Sequence, residues 1–213
     1  MGQRNKFAFD RDTASRKVFP AALATLLVFI LSRSALAAPE PARGYSIFQG
    51  TMADMTYTEL EQAVHSGAIA LWGLGVIEEH GPHLPLATDV YMPTAYLREV
   101  QRLLAEKKIA SVIVPAYYWG VNQVTGSFPG SIDVRPEVMV ELMLDVFKSL
   151  GRAGFKEVYC ITGHGDAAHN RAIVEGVRRG NQSDGIRAYM ALPRTLVSRL
   201  QLDPKEAHLV IAA

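Results

Sequence analysis

Ile69-Ala70-Leu71-Trp72-Gly73-Leu74 is an unbroken apolar run ended by Gly75, and the stretch after it reads Val76-Ile77-Glu78-Glu79-His80-Gly81-Pro82-His83-Leu84-Pro85-Leu86-Ala87-Thr88-Asp89. A short apolar run bounded by turn residues is the pattern of a buried strand. Helical spacing follows over residues 91–108, closing on Glu106-Lys107-Lys108, whose cations suit a helix C-terminus. The β-branched run Ile109–Val114 predicts a second strand, closed by Pro115. This strand, loop, helix and strand set the unit from which the rest of the chain is read.

Upstream, residues 58–64 read as a short helix with Thr56 or Thr58 near its start. Downstream, a long polar and aromatic loop runs from Ala116 to Arg135. Pro136 opens a helix with Val138, Leu142, Val146 and Leu150 at spacings of four, ended by Gly151 and Gly154. Residues 157–162 make a third strand, 167–179 a helix and 186–192 a fourth strand. Strands and helices in this alternation predict an α/β fold, a parallel sheet with helices on both faces.

Sites in such sheets form beyond the carboxyl ends of the strands. Two segments there are rich in ligating side chains: Glu78 to Asp89, and His164 to Asn170. Glu78 and His80 lie two apart, so in extended chain they point the same way. Pro82 and Pro85 stiffen a turn that brings Asp89 back beside them. Carboxylates and imidazoles are ligands for Zn, Mn or Fe, although a Glu-x-His pair also occurs in hydrogen-bonded turns. Glu78, His80, Asp89, His164 and Asp166 are too many for one open tetrahedral site, but suit two divalent ions sharing a carboxylate. Glu79 reads as solvated or paired, His169 as support for the His164 loop, and His65 and His208 as surface residues.

Bulk properties narrow the classes. The chain has 213 residues, 49% hydrophobic and 20% charged, which fits one globular domain. Arg4, Lys6, Arg11, Arg16 and Lys17 precede the apolar run Val18–Leu31, and Ala35-Leu36-Ala37 follows. Basic flank, short apolar stretch and small-residue exit predict a signal peptide over residues 1–37, with export to the periplasm or medium. The run is shorter than the roughly 20 residues that span a bilayer, so no stable membrane association is expected after cleavage. Residues 39–43 look like a tether. Residues 1–37 hold six of the 22 basic and two of the 21 acidic residues, leaving 16 against 19, a net −3. No basic surface for nucleic acid is expected. Cys160 is the single cysteine, so an intramolecular disulfide is impossible, and its apolar surroundings predict a buried, inert thiol. No Gly-x-Ser-x-Gly occurs, which argues against a serine hydrolase.

The stretch Glu78–Asp89 resembles the signature of the creatininase family, Gly-x-x-Glu-x-His-Gly-Pro-His-Leu-Pro-Leu-x-Thr-Asp. Phe128-Pro129-Gly130-Ser131-Ile132, Arg135-Pro136-Glu137 and Thr162-Gly163-His164-Gly165 also match, and the resemblance covers about residues 50–192. It implies a three-layer α/β/α fold with a mostly parallel central sheet, often as a homo-oligomer (a hexamer). It also implies a two-metal site that hydrolyses C–N bonds of small amides. Carried over, Glu78, Asp89 and His164 bind one ion; His80, Asp89 and Asp166 bind the second, with Asp89 bridging. Such ions bring the pKa of water toward 7 and polarise the amide carbonyl. An acid must then protonate the leaving nitrogen. Asp166 or a residue of the family's C-terminal segment is the first candidate, and His83 the next, read foremost as orienting a ligand.

The expected function is thus a metal-dependent amidohydrolase acting on a small amide, lactam or formamide. The alternatives are a peptidase trimming a short peptide, or a metal-binding oligomer subunit without turnover. Several positions depart from the family pattern. Relatives have Gly-x-Ser-x-x-His where this chain has Asn122 and Thr125. Creatininase has Tyr at the position of Gly165 and Glu at that of Asp166. It also uses tryptophans after that loop, whereas this chain has only Trp72 and Trp119. The family's C-terminal His-x-Gly-x-x-Glu-Thr-Ser is not found before Ala213, so the domain 38–213 is expected to lack its C-terminal segment.

Overall fold

The computed structural model describes Ser46, residues 48–182 and residues 185–212. The expected signal peptide and the 39–43 tether lie outside the described residues. Five strands form one parallel sheet in the order β2-β1-β3-β4-β5. They are β1 (Ile69–Leu74), β2 (Ser111–Tyr117), β3 (Glu157–Ile161), β4 (Arg187–Leu192) and β5 (Val210–Ala212). The helices are α1 (Tyr57–His65), α2 (Thr88–Glu106), α3 (Pro136–Ala153), α4 (Ala167–Gly180) and α5 (Arg194–Leu200).

Alternation along the strands sorts the core into two layers. Ala70, Trp72 and Leu74 of β1 pack with Val158, Cys160, Ala188 and Met190 against α3 and α4. Leu71 and Ile113 point to the other face and meet Leu97 of α2. The result is the expected three-layer α/β/α arrangement. Trp72 anchors the first layer, its ring edge-on to Tyr117 and Phe147 at centroid distances of 6.2 and 5.8 Å. Cys160 is fully buried, and burial pushes its thiol pKa up, as an inert core cysteine requires.

Local signals explain most element ends. Thr56 caps α1 in a reciprocal box with Glu59. Pro136 occupies the first turn of α3, where its missing N–H costs nothing, and Gly154 caps the far end at φ +105°.

Four expectations are corrected. α2 begins at Thr88, not residue 91, because the Thr88 N–H and hydroxyl both bond the Pro85 carbonyl, at 3.1 and 2.6 Å, and start the turn. Asp89 therefore sits in the first helical turn, where the helix dipole favours a carboxylate. α2 ends at Glu106, and Lys107 and Lys108 form its cap. Lys108 takes φ +60°, and the Lys108 and Ile109 N–H groups bond the Ala105 and Leu104 carbonyls.

Pro115 does not close β2. It lies within an edge strand, where the β1–β2 register slips by one residue between Val114 and Tyr117 and a missing donor is tolerated. On α3 the buried positions are Met139, Val140, Met143, Phe147 and Leu150, while Val138 and Leu142 are exposed. Steps of four drift about 40° each around a helix, so the spacing read from sequence spirals away from the core. Finally, β5, which follows α5, pairs with β4 and extends the sheet beyond the last strand expected from sequence.

This topology fixes the place of a site. From β1 the chain passes to β2 on one side, whereas β3 leads to β4 on the other. The crevice between the carboxyl ends of β1 and β3 is the switch point where α/β sheets bind ligands. The loops after these two strands are those that carry Glu78 and His164.

Candidate metal centre

Glu78, Asp89 and His164 converge in that crevice, and all three are buried, with 3–6% of their surfaces exposed. Each arrives on a different element: the loop after β1, the first turn of α2 and the loop after β3. His164 Nδ1 lies 2.7 Å from Glu78 Oε1 and 2.8 Å from Asp89 Oδ2. His80 approaches from the rim, its Nε2 3.2 Å from Asp89 Oδ1 and 3.8 Å from Glu78 Oε1. The other ring nitrogen of His80 is 3.3 Å from the Glu78 carbonyl oxygen. A carbonyl partner there turns the Nε2 lone pair inward, the arrangement common in metal-ligating histidines.

Backbone close to the site is held tightly. Glu78 N–H donates to the Leu86 carbonyl at 2.9 Å, and Glu79 N–H donates to Ser131 Oγ at 3.0 Å. Ser131 belongs to the Phe-Pro-Gly-Ser-Ile run, which thus fixes the Glu78–His80 segment. Asn170 Nδ2 donates to the carbonyls of His164 and Asp166, pinning the second loop. Gly75 lets α2 approach the end of β1, since a Cβ there would stand 2.6 Å from the Asp89 carbonyl oxygen.

The electrostatics are those of two carboxyl groups sharing one buried site. Burial pushes the Glu78 carboxyl above its usual range, and the hydrogen bond with Asp89 adds to this. Burial acts the same way on Asp89, but hydrogen bonds from His164 and Glu78 outweigh it and hold Asp89 below the carboxylate range. His164 loses charge stability through burial, yet its bond to Asp89 and the charge of Glu78 leave its pKa raised. Buried acids in contact either share a proton or take up a compensating positive charge. Donors around a four-coordinate ion with bonds of about 2.0–2.2 Å stand roughly 3.3–3.6 Å apart. The separations of 2.7–3.8 Å among these oxygens and nitrogens bracket that range. The donor set fits a divalent cation.

The other residues singled out from sequence lie differently. Asp166 is buried but stands outside the converged set. Its Oδ1 accepts from Ala168 N–H at 2.7 Å, capping α4, and its Oδ2 accepts from Gln123 and Val124 N–H at 2.7 and 3.2 Å. His83 is exposed on the loop, and among the described residues no hydrogen bond or ion pair joins it to the cluster. Glu79 is partly buried and accepts from Gly81 N–H at 2.8 Å. His65 and His208 are exposed. His169 supports the His164 loop as expected. Its Nε2 is 3.1 Å from Thr162 Oγ1, which accepts from His164 N–H, and burial lowers its pKa to about 3.

Sequence reasoning missed Thr125 as a member of the site. Its hydroxyl donates to Glu78 Oε2 and lies 2.7 Å from Asn122 Oδ1. The signal was present as two departures, Asn122 and Thr125, from an otherwise matching pattern.

An α/β sheet with a buried carboxylate–imidazole cluster at its switch point defines a class of candidate metalloproteins. The family model described as creatinine amidohydrolase matches residues 53–208, and the chain belongs to the creatininase family. It is 27% identical over 138 residues to creatinine amidohydrolase of Pseudomonas putida, covering 62% of this chain and 49% of that protein. It is 36% identical over 97 residues to a mycofactocin precursor peptide peptidase of Mycobacterium tuberculosis, covering 43% and 38%. The chain thus spans half or less of the length of these curated relatives. The crystal structure of a creatininase superimposes with a TM-score of 0.58 at 22% identity, covering 66% of this chain and 56% of that one. A creatininase structure with Mn gives 0.59 at 20% identity, covering 73% and 64%. At these identities the structures establish the shared fold.

Proposed function

We propose that the chain is a divalent-metal-dependent amidohydrolase that cleaves a C–N bond of a small amide, lactam or formamide with water. The observation that carries this reading is the buried convergence of Glu78, Asp89 and His164 at the switch point. Glu78, Asp89 and His164 would hold one ion. His80, Asp89 and Asp166 would hold a second, Asp166 through the lone pair of its Oδ1 left after Ala168. A solved relative described as of Zn-Zn type and another described with Mn support divalent ions of this kind.

Divalent ions in such a site supply acidified water at neutral pH and polarise a carbonyl oxygen. The residues of this chain do the rest. Asp89 stays ionised between His80 and His164 and keeps negative charge at the centre. His164, anchored through Thr162 and Asn170, is oriented before any ligand arrives. Asp166, with three N–H groups on its oxygens and its last lone pair assigned to the second ion, has none to spare for the leaving nitrogen, so proton delivery is assigned to His83. Removal of residues 1–37 on export and homo-oligomeric assembly belong to the same reading. Assembly is supported by exposed aromatics such as Tyr91, Tyr96, Trp119 and Phe128.

The test is hydrolysis across small amides, lactams, formamides and short peptides, before and after chelation and after Zn or Mn is restored. We expect turnover of at least one small amide that disappears on chelation and returns with metal. Turnover indifferent to chelation, or metal-bearing protein inert on the whole panel, would overturn the proposal. The second outcome would leave a metal-binding subunit without turnover. A second reading, trimming of a short peptide, is favoured by the 36% identity to the peptide peptidase and predicts activity in the peptide arm alone.

A further inference from the structure

The turn 122–125 has an unusual hydrogen-bond pattern. Each of its four backbone N–H groups is received by a side-chain oxygen. Asn122 N–H donates to Asp133 Oδ1 at 2.6 Å. Gln123 and Val124 N–H donate to Asp166 Oδ2. Thr125 N–H donates to Asn122 Oδ1 at 3.1 Å, which sets that amide with its oxygen toward Thr125. The turn is also closed sterically, because a Cβ at Gly126 would lie 2.2 Å from the Asn122 carbonyl oxygen. Asn122 is fully buried. A turn gripped at every donor leaves the side chain it carries little freedom of position.

That side chain is the Thr125 hydroxyl, aimed at Glu78 Oε2. Glu78 Oε1 faces His164 on the opposite side of the carboxyl group. We propose that Thr125 is a positioning residue for the metal centre. Its hydroxyl engages Oε2, so that Glu78 presents Oε1 alone to the ion shared with Asp89 and His164. Asn122, Asp133 and Asp166 act through Thr125 by holding the turn. On this account Asp166 serves the centre as the clasp of the 122–125 turn, whatever its part as a ligand. The inference rests on the metal-binding reading above and assigns a role to a position where the chain departs from its family.

The experiment is a competition titration of Zn against a chromophoric chelator, on the full chain, for the native protein, Thr125→Val and Thr125→Ser. Thermal melting of the metal-free forms is measured alongside. Partners that orient a metal ligand typically control 10–100-fold in affinity. Thr125→Val should therefore bind Zn about 10–100-fold more weakly while its metal-free melting temperature stays near native, and Thr125→Ser should restore affinity. Valine binding as tightly as native, or serine as weakly as valine, would refute the role. So would a loss of affinity accompanied by an equal loss of metal-free stability in both variants. Should Thr125→Val not fold, Thr125→Ala against Thr125→Ser gives the same contrast. Failure of the native chain to bind Zn would strike the functional reading itself, a result separate from any difference among the variants.

Discussion

Asp89→Ala is expected to strip the protein of all its bound divalent metal. Asp89 touches every other member of the centre: His164 Nδ1 at 2.8 Å, His80 Nε2 at 3.2 Å, and Glu78 through a carboxyl–carboxyl hydrogen bond. Removing one partner from a buried charged cluster costs about 3–5 kcal/mol. Beyond that cost in stability, each ion would lose the one carboxylate that the two positions share. Elemental analysis after dialysis should find the native metal content reduced to background in the variant. Asp89→Asn keeps the shape but removes the charge and should behave alike. Retention of one ion by both variants would show that Asp89 does not bridge, and that the two histidines serve separate sites.

Gly75→Ala should do comparable damage without touching any ligand. Its new Cβ would lie 2.6 Å from the Asp89 carbonyl oxygen and 3.0 Å from Val90 Cα, both backbone atoms that cannot rotate away. The first turn of α2 must yield. It is also the weaker partner, because Pro93 has no N–H to bond the Asp89 carbonyl in the helical pattern. Overpacking of this kind costs about 1–3 kcal/mol. Displacement of a catalytic group by about 1 Å can cost on the order of 100-fold in rate. We therefore expect a lower melting temperature together with weakened Zn binding. Gly165→Ala is the control, since a Cβ there meets nothing within 4 Å. If Gly75→Ala melted and bound metal like Gly165→Ala, the close packing of α2 on β1 would not be what places Asp89.

The sheet was legible because its strands are short apolar runs separated by helical periods, and β1 matches its expected span to the residue. Parallel connections then pointed to the carboxyl ends of the strands as the edge that holds the site, whereas the strand order came only with the fold. Element ends were less legible where tertiary contacts decide them. Apolar spacing started α2 at residue 91 because nothing in Thr88-Asp89 is apolar. Yet the hydrogen bonds of Thr88 to Pro85 place those residues in the helix. Pro115 read as a stop because the edge position that tolerates it is not a local property. The spacing of Val138 and Leu142 marked the helix, but spacing alone does not say which stripe faces the sheet.

The site divides in the same way. Glu78, His80, Asp89 and His164 were readable from residue type and loop position, since few roles suit acids and imidazoles beside apolar strands. Asp166 was read by its chemistry alone, and only the fold reveals the three N–H groups on its oxygens. Thr125 is 47 residues from Glu78 in sequence, and no periodicity joins them. The 118–135 loop has to fold back over the segment that follows β1, pairing Trp119 with Val76 and Ile132 with Ile77, before that hydroxyl finds its partner.

The central claim, that Glu78, Asp89 and His164 form a metal centre, is tested most directly by anomalous scattering from crystals grown with Mn. A peak is expected within about 2.0–2.3 Å of donor atoms from all three residues, as carboxylate and imidazole ligation requires. Full occupancy of Mn elsewhere on the chain, with no peak among these three side chains, would contradict it.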